Sequence, residues 1–227
     1  MSYGSAEVAA VIGRAHGSAR DCGPVGWTEA RWREVLATGG DYVHLAEDGF
    51  LSYRWADGGE ALEVTRLVAS SEATLRALWA IVGSGSSIAE TVRACVSPMD
   101  PVLWMLRERK HETVQRDQWM LRVVDAPAAI AARGYPAGVT ATVPLTIDDP
   151  QRPANSGHWR LEIKDGEGRL ERSGEDADAV HVGPRGLAAL YAGVPVSVLR
   201  RAGLLRGGDA GGLGVVFAAT PFSLDYF

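Results

Sequence analysis

The residues from 139 to 172 alternate between apolar and polar side chains, and this alternation limits the fold more than any other feature of the sequence. In two runs every second residue is apolar: Val139, Ala141, Val143, Leu145 and Ile147, then Trp159, Leu161 and Ile163. Successive side chains of a β-strand point to opposite faces, so the pattern predicts a sheet with one buried face. Asp165-Gly166 follows the second run and favours a tight hairpin turn.

Helices with recognisable ends flank these strands in the second half of the chain. Before them we predict a strand, "WMLRVVD" (119–125), and a helix, "APAAIAARG", with Asp125 as N-cap, Pro127 in the first turn and Gly134 at the end. After them we predict a strand at 180–182 and two short helices, the first starting at Pro184 and the second ending at Gly203.

The first half predicts a second set of strands and helices. A helix in "TEARWREVLATGG" begins at the N-cap Thr28, and a hairpin in "DYVHLAEDGFLSYRW" turns at Asp48-Gly49. A strand "ALEVTRLVA", a helix "SSEATLRALWAIV", a strand "IAETVRACV" and a short helix at "PVLWML" follow. The segment "RERKHETVQRDQ" lacks apolar periodicity and reads as a linker, which predicts domains at 1–116 and 117–227 and an α+β fold class.

Composition excludes several functional classes. The chain has 227 residues, 46% of them hydrophobic, and its 23 basic and 28 acidic residues are interspersed, for a net charge of −5. No block of like charge predicts a nucleic-acid or membrane partner. The two cysteines, Cys22 and Cys95, favour reduced thiols over a disulfide framework. No signal peptide or membrane-spanning run is found, so we expect a cytoplasmic protein.

The usual motifs of metal and phosphate chemistry are not matched. "HETVQ" has Gln115 where a zinc-binding H-E-x-x-H helix needs its second histidine, so we predict no metal site. The glycine-rich stretches "GSGSS" and "RGGDAGGLG" follow helices instead of opening them, and we interpret both as flexible loops.

The strand-to-helix junction "TRLVASSEATL" has the position of a cofactor loop without its composition. GNAT acetyltransferases hold the pyrophosphate of acetyl-CoA at such a junction, through a glycine-rich loop next to free N–H groups of a helix. Here the loop is Ala69, Ser70 and Ser71, with no glycine, and Ser71 is placed to cap the helix. We therefore predict that this chain binds no cofactor itself.

Together these stretches resemble the enhanced intracellular survival (Eis) family of GNAT N-acetyltransferases. The resemblance rests on "EALEVTRLVASSEATLRALWAIV", "QWMLRVVDAPAAIAARGY", "LAALYAGVPVSVLRRAGLL" and the ending "TPFSLDYF". It implies a degenerate GNAT-like mixed sheet with flanking helices, followed by a sterol-carrier-protein-like α/β domain. It also implies homo-oligomers, and that this chain corresponds to the C-terminal part of the family, without its first, catalytic GNAT domain.

The resemblance implies roles for two terminal residues. In the family the terminal carboxylate enters the active site and takes a proton from the substrate amine, which here makes Phe227 the general base. Asp225 matches the acids that attract cationic substrates, whereas Tyr226 departs from that pattern. Acetyl-CoA would be used only with a separate catalytic GNAT domain or subunit, and the substrate would be an amine such as an aminoglycoside or a lysine.

Two other functions stay open at this point. One is a stand-alone module that binds an apolar small molecule, with Trp104, Trp119 and Trp159 near a pocket, although tryptophans at such positions are more often core. The other is an oligomerisation scaffold. Asp125 is open to two interpretations as well, a substrate contact or a helix cap, and capping needs fewer assumptions. The sequence does not decide whether Met1 is a true start or a fragment boundary, nor which amine is used.

Overall fold

A computed structural model describes residues 4–19, 21–106 and 112–224 of the chain. The chain divides into two compact units, the first formed by residues 1–112 and 222–227 and the second by residues 113–221. Each unit has a core of its own, and each is described separately below.

The first unit contains nine helices and strands among the described residues. They are α1 (Ser5–Ala19), β1 (Asp21–Cys22), α2 (Glu29–Thr38), β2 (Tyr42–Ala46), β3 (Gly49–Ala56), β4 (Ala61–Ala69), α3 (Glu72–Ser84), β5 (Thr91–Ala94) and α4 (Val102–Met105). Four strands form a sheet in the order β2-β3-β4-β5, in which β4 and β5 are parallel and the other pairs antiparallel. The predicted strands and helices of this half are thus confirmed, and Thr28 and Ser71 cap α2 and α3 as expected.

Two apolar clusters lie on opposite faces of this sheet. One cluster packs α3 against the sheet through Leu51, Leu62, Val64, Leu75, Leu78 and Val82. The other packs α1 and α2 against the opposite face through Val8, Val11, Ile12, Trp32 and Phe50. The unit is therefore a mixed sheet between helical layers, which confirms the predicted fold class of this half.

Helix α1 was not predicted, although its sequence carries the signal. Val8, Val11, Ile12 and Ala15 are buried, at the spacing of one helical face. Small residues separate these apolar side chains, so the amphipathic pattern of the segment is weak. The helix is recognised once the sheet that it covers is known.

The predicted turn at Asp48-Gly49 is wrong by one residue. Glu47 and Asp48 form the loop, while Gly49 pairs with Ala46 and opens β3 without a positive φ. Glycine is needed here for space: a Cβ on Gly49 would lie 2.5 Å from Cγ2 of Thr74 on α3. Glycine is therefore required at position 49 by the close approach of α3 to β3, and not by the conformation of the turn.

The second unit contains a larger sheet and four helices among its described residues. Its elements are α5 (Ala126–Ala132), β6 (Ala141–Ile147), β7 (Gly157–Lys164), β8 (Glu167–Arg172), β9 (Val180–Val182), α6 (Pro184–Tyr191), α7 (Val196–Arg201), β10 (Leu205–Gly207), α8 (Gly211–Val216) and β11 (Thr220–Pro221). The sheet order is β10-β9-β6-β7-β8, with β9 and β6 parallel.

The alternation of residues 139–172 is confirmed as a one-sided sheet. Arg160 and Lys164 on β7 are exposed. The buried residues of β6 and β7 are Val143, Leu145, Ile147, Trp159, Leu161 and Ile163. The hairpin turns at Asp165 (φ 55°) and Gly166 (φ 83°), as predicted for a turn that needs two positive φ values. The buried face packs against residues of α5, α6, α7 and α8.

Two predictions in the second unit are wrong. Residues 119–125 form no strand, because the Asn155 side chain bonds to the carbonyls of Val123 and Val124 and to the N–H of Ala126, the groups a neighbouring strand would pair. The "RGGDAGGLG" stretch is not a loop throughout, because it contributes β10 and the start of α8. Leu213 of α8 is fully buried, and this burial outweighs the low helix propensity of its glycines.

Candidate functional site

The junction between β4 and α3 corresponds to the place where GNAT acetyltransferases carry their cofactor loop. The β4–β5 pairing ends at Val64 and Ala94, so residues 65–69 of β4 run on without a partner on the β5 side in the described part of the chain. The first turn of α3 then begins after Ser71, whose hydroxyl accepts a hydrogen bond from the N–H of Thr74 at 3.3 Å. Ser71 is therefore a helix cap, as predicted from the sequence.

A carboxylate from another part of the chain, Asp48, fills this junction. The Thr74 hydroxyl donates to Oδ1 of Asp48, and the N–H of Ser70 donates to the Asp48 carbonyl at 2.9 Å. Hydrogen bonds from the side chains of Ser71 and Thr74 lower the pKa of Asp48, and the bond from Ser71 has the larger effect. The chain thus places a carboxylate of its own at the start of α3, where the helix dipole favours negative charge.

The residues at this junction do not fit a pyrophosphate group. The loop has side chains at all three positions, Ala69, Ser70 and Ser71, so its backbone cannot approach an anion as a glycine loop does. Asp48 would also repel any phosphate placed at the helix start. The sequence indicated the missing glycines, but Asp48 lies 26 residues before Thr74 and only the tertiary fold brings them together.

A second polar cluster of the first unit is built on a β-bulge. Ser52 pairs with Arg66 and Tyr53 with Val64, which leaves Thr65 as the extra residue of β4. The hydroxyls of Ser52 and Thr65 donate to the same oxygen of Asp41, Oδ2, at 2.7 and 2.8 Å. A cavity of about 280 Å³ beside this cluster is lined by Gly40, Asp41 and Tyr42. This cluster could not be predicted, because its members are 11 to 24 residues apart along the chain.

The buried arginine next to this cluster is held by aromatic rings. Arg66 is buried, and its guanidinium lies 4.8 Å from the ring centroid of Trp27 and 5.4 Å from that of Trp32. Trp32 in turn contacts Phe50 in the core edge to face. Arg66 therefore ties α2 to the sheet through cation–π contacts.

The polar centre of the second unit is Asp149, which is fully buried. Arg122 donates to both of its carboxylate oxygens, at 2.6 and 2.8 Å, and the side chain of Asn155 donates at 3.3 Å. Burial alone would raise the pKa of Asp149, but the hydrogen bonds from Arg122, Asn155 and the N–H of Arg152 outweigh it, so its pKa is lowered. This network fixes the segment before α5 and is structural.

The predicted site residues Phe227 and Asp225 lie outside the described residues. The last described residues, 222–224, belong to the first unit, where the N–H of Phe222 donates to the carbonyl of Cys22 at 3.2 Å. Asp125 accepts a hydrogen bond from the N–H of Ala128 at 2.9 Å and caps α5, in agreement with the capping interpretation.

The three tryptophans considered for an apolar pocket have different surroundings. Trp159 is a core residue whose indole N–H donates to the Asn155 carbonyl at 2.8 Å. Trp119 is half-buried, and Trp104, in the first unit, is 79% exposed. The core interpretation thus holds for Trp159, and Trp104 is a surface residue.

The described residues contain neither a membrane-spanning helix nor a cluster of metal-binding side chains. None of the described helices has both the length and the apolar character needed to cross a bilayer. Within residues 4–19, 21–106 and 112–224, no group of three or more His, Cys, Asp or Glu side chains is arranged to hold a metal ion.

Comparison with sequence families matches each half of the chain separately. Residues 23–123 match a family described as "Acetyltransferase (GNAT) domain", and residues 126–221 match one described as "Sterol carrier protein domain". These two regions correspond to the two sheets described above.

Individual relatives give the same result. N-acetyltransferase Eis of Mycobacterium tuberculosis is 31% identical over 194 residues, which are 79% of this chain and 46% of the relative. The crystal structure of a GCN5-related N-acetyltransferase from Kribbella flavida superposes with a TM-score of 0.90 at 48% identity, over 98% of this chain and 57% of that chain. Eis1 from Mycobacterium abscessus gives a TM-score of 0.72 at 26% identity, over 99% of this chain and 60% of that chain. This chain therefore spans about half the length of the relatives it matches.

Proposed function

This chain joins a GNAT acetyltransferase domain to a sterol carrier protein domain and is homologous to N-acetyltransferase Eis, and from that premise we propose that it is the noncatalytic half of an Eis-type N-acetyltransferase. In this proposal acetyl-CoA is bound by a catalytic GNAT domain, and the present chain supplies the base that prepares the amine. The substrates are amines such as aminoglycosides or lysine side chains, and the assembly is a homo-oligomer.

The observation that carries the proposal is the position of Asp48. A GNAT-like unit whose strand-to-helix junction holds its own carboxylate is poorly suited to bind the pyrophosphate of acetyl-CoA. The fold of the unit is retained while the junction is filled, as expected for a domain that serves as a scaffold.

The base in this proposal is the terminal carboxylate of Phe227. A primary ammonium has a pKa near ~10.4 and must lose a proton before its nitrogen can attack a thioester. A free α-carboxylate has a pKa of only about 3.3 to 3.7, so it needs burial or a water relay to accept that proton. Asp225, two residues away, would add negative charge that attracts a cationic amine.

The first experiment tests cofactor binding. The 227-residue chain is titrated with acetyl-CoA in a calorimeter, and we expect no binding heat at micromolar concentrations. A matched Asp48→Asn variant removes the repelling charge and keeps the volume of the side chain. Tight binding of acetyl-CoA by the unaltered chain would contradict the proposal.

The second experiment tests the base in a complete enzyme. In a chimera, this chain replaces the matching 57% of the Kribbella flavida protein, and acetylation of an amine is followed by thiol release. Converting the terminal carboxylate to an amide by semisynthesis should lower kcat by about 10²-fold or more, in the range of general-base contributions. Phe227→Leu is the control, because it changes the side chain and keeps the carboxylate. Equal rates for the amide and the acid would rule out the base.

A further inference from the structure

An exposed apolar surface in the first unit is not explained by the fold. Its members lie between the end of α3 and the residue that follows α4: Ile88, Val92, Met99, Trp104 and Leu106. We call this surface the Trp104 patch. Trp104 is 79% exposed, Ile88 69% and Met99 63%. Single exposed apolar residues are ordinary, but several within one short segment usually mark an interaction site.

The two ends of the patch segment are attached to one core cluster. Ala89 at its start is buried in the cluster beneath α3, and Met105 of α4 packs against the same cluster. The segment that carries the exposed residues is therefore held to the folded core at both ends.

The patch also includes a free sheet edge. Strand β5 pairs with β4 on one side, and no other described strand pairs with it on the other. All four residues of β5 are exposed. Exposed edges are usually blunted by charges, and β5 has only Arg93, which forms an ion pair with Asp57. Val92 stays uncovered beside it.

The composition of the patch suits a protein partner better than water. Tryptophan and methionine are enriched at the centres of interfaces, and tryptophan is a frequent hot-spot residue. Glu90 and Arg93 are polar residues next to the apolar ones, as at the rim of an interface.

We propose that the Trp104 patch is the docking face for the catalytic GNAT domain of the enzyme. The argument for this partner is chain length, since the solved relatives have about two fifths of their chain beyond the part that this chain matches. The patch lies in the unit that matches the acetyltransferase family. This inference rests on the proposed function, because it names the partner required there. The partner contributes an apolar strand or helix that covers Val92 and Trp104.

The experiment compares the isolated 227-residue chain with the Kribbella flavida chimera by hydroxyl-radical footprinting and mass spectrometry. Modification of Met99 and Trp104 should be about tenfold slower in the chimera, as expected for side chains that become buried in an interface. Met120, which is almost fully exposed in the second unit, is the internal control and should keep its rate.

Variants then test the specificity of the contact. Trp104→Ser in the chimera should return the Met99 rate to that of the isolated chain. Val198→Ser, at an exposed valine on α7, is the matched control and should leave Met99 protected. Because Trp104 is exposed, the isolated chain should keep its melting temperature with either change.

Three results would overturn the inference. The first is equal Met99 rates in the chimera and the isolated chain. The second is equal protection of Met99 and Met120. The third is protection that increases with concentration in the isolated chain, which would assign the patch to a second copy. The base is tested separately: a protected Met99 together with full activity of the terminal amide would keep the docking face and reject the proposed base.

Discussion

Asp149 shows how much of the second unit depends on one residue. Its carboxylate accepts hydrogen bonds from Arg122, from Asn155 and from the N–H of Arg152. Asn155 is buried as well, and it holds the backbone before α5. Removing the carboxylate therefore takes away the counter-charge of Arg122 and one of the acceptors of the buried Asn155 side chain.

We expect Asp149→Ala to lower the free energy of unfolding by about 3 kcal/mol, the usual cost of breaking a buried charged pair from one side. Urea denaturation followed by tryptophan fluorescence measures this change. Asp148→Ala, at the exposed neighbouring position, is the control and should change stability by less than about 0.5 kcal/mol. Equal losses for the two variants would show that the network contributes little.

The same residue predicts a dependence of stability on pH. The pKa of Asp149 is lower in the folded chain than in the unfolded chain, where it is near 3.9. The folded state therefore binds fewer protons, and the carboxylate's contribution is present above pH ~3.9 and lost as the pH falls through the folded pKa. The stability difference between the unaltered chain and Asp149→Asn should shrink on acidification. A difference that grew in acid would contradict the assignment.

Of the residues at the candidate site, some could be predicted from the sequence and others could not. The Ser71 cap was predictable, because capping depends on residues three positions apart. Asp48 was not, because this loop residue before β3 comes next to the start of α3 only when β3 pairs with β4. The helix cap could be predicted from neighbouring residues, and the tertiary contact that brings a carboxylate to the junction could not.

At the scale of elements, the strongly patterned strands and capped helices were predictable. The hairpin at Asp165-Gly166 needs only its own residues to specify the turn. The segment 119–125 failed for the opposite reason, because Asn155, about thirty residues later in the chain, takes up the hydrogen bonds that its strand pattern would otherwise satisfy. Helix α8 depends on burial of Leu213 and Val216, which its glycine-rich sequence does not indicate.

Two Gly→Ala changes should have opposite effects on stability, one at the contact between β3 and α3 and one at an open position within α3. Gly49→Ala should destabilise the chain by about 1–3 kcal/mol, because its Cβ would overlap Thr74 of α3. Gly83→Ala, within α3, should stabilise it by up to about 1 kcal/mol, because the added methyl group meets no atom within 4 Å and alanine favours the helix. Thermal unfolding of both variants measures this, and a stabilising Gly49→Ala would refute the packing argument.

At the scale of the whole molecule, the two units have separate cores. The cluster of the second unit consists only of residues between 123 and 217. We therefore expect a fragment of residues 113–221 to unfold cooperatively and to keep the near-ultraviolet circular dichroism of buried Trp159. A fragment carrying Trp159→Ala is the control for that signal. A broad transition without near-ultraviolet signal would show that the second unit needs the first to fold.

The one-sided sheet of the second unit has a consequence for evolution. On β6 and β7 the buried side chains are all at odd-numbered positions, while the even-numbered side chains are half-buried or exposed. We therefore expect the even-numbered positions to tolerate substitution better than the buried ones while the backbone stays the same. Percentage identity should consequently underestimate homology in this half of the chain. A search for distant homologues should give more weight to the buried positions than to their neighbours, that is, to Val143, Leu145, Trp159 and Leu161.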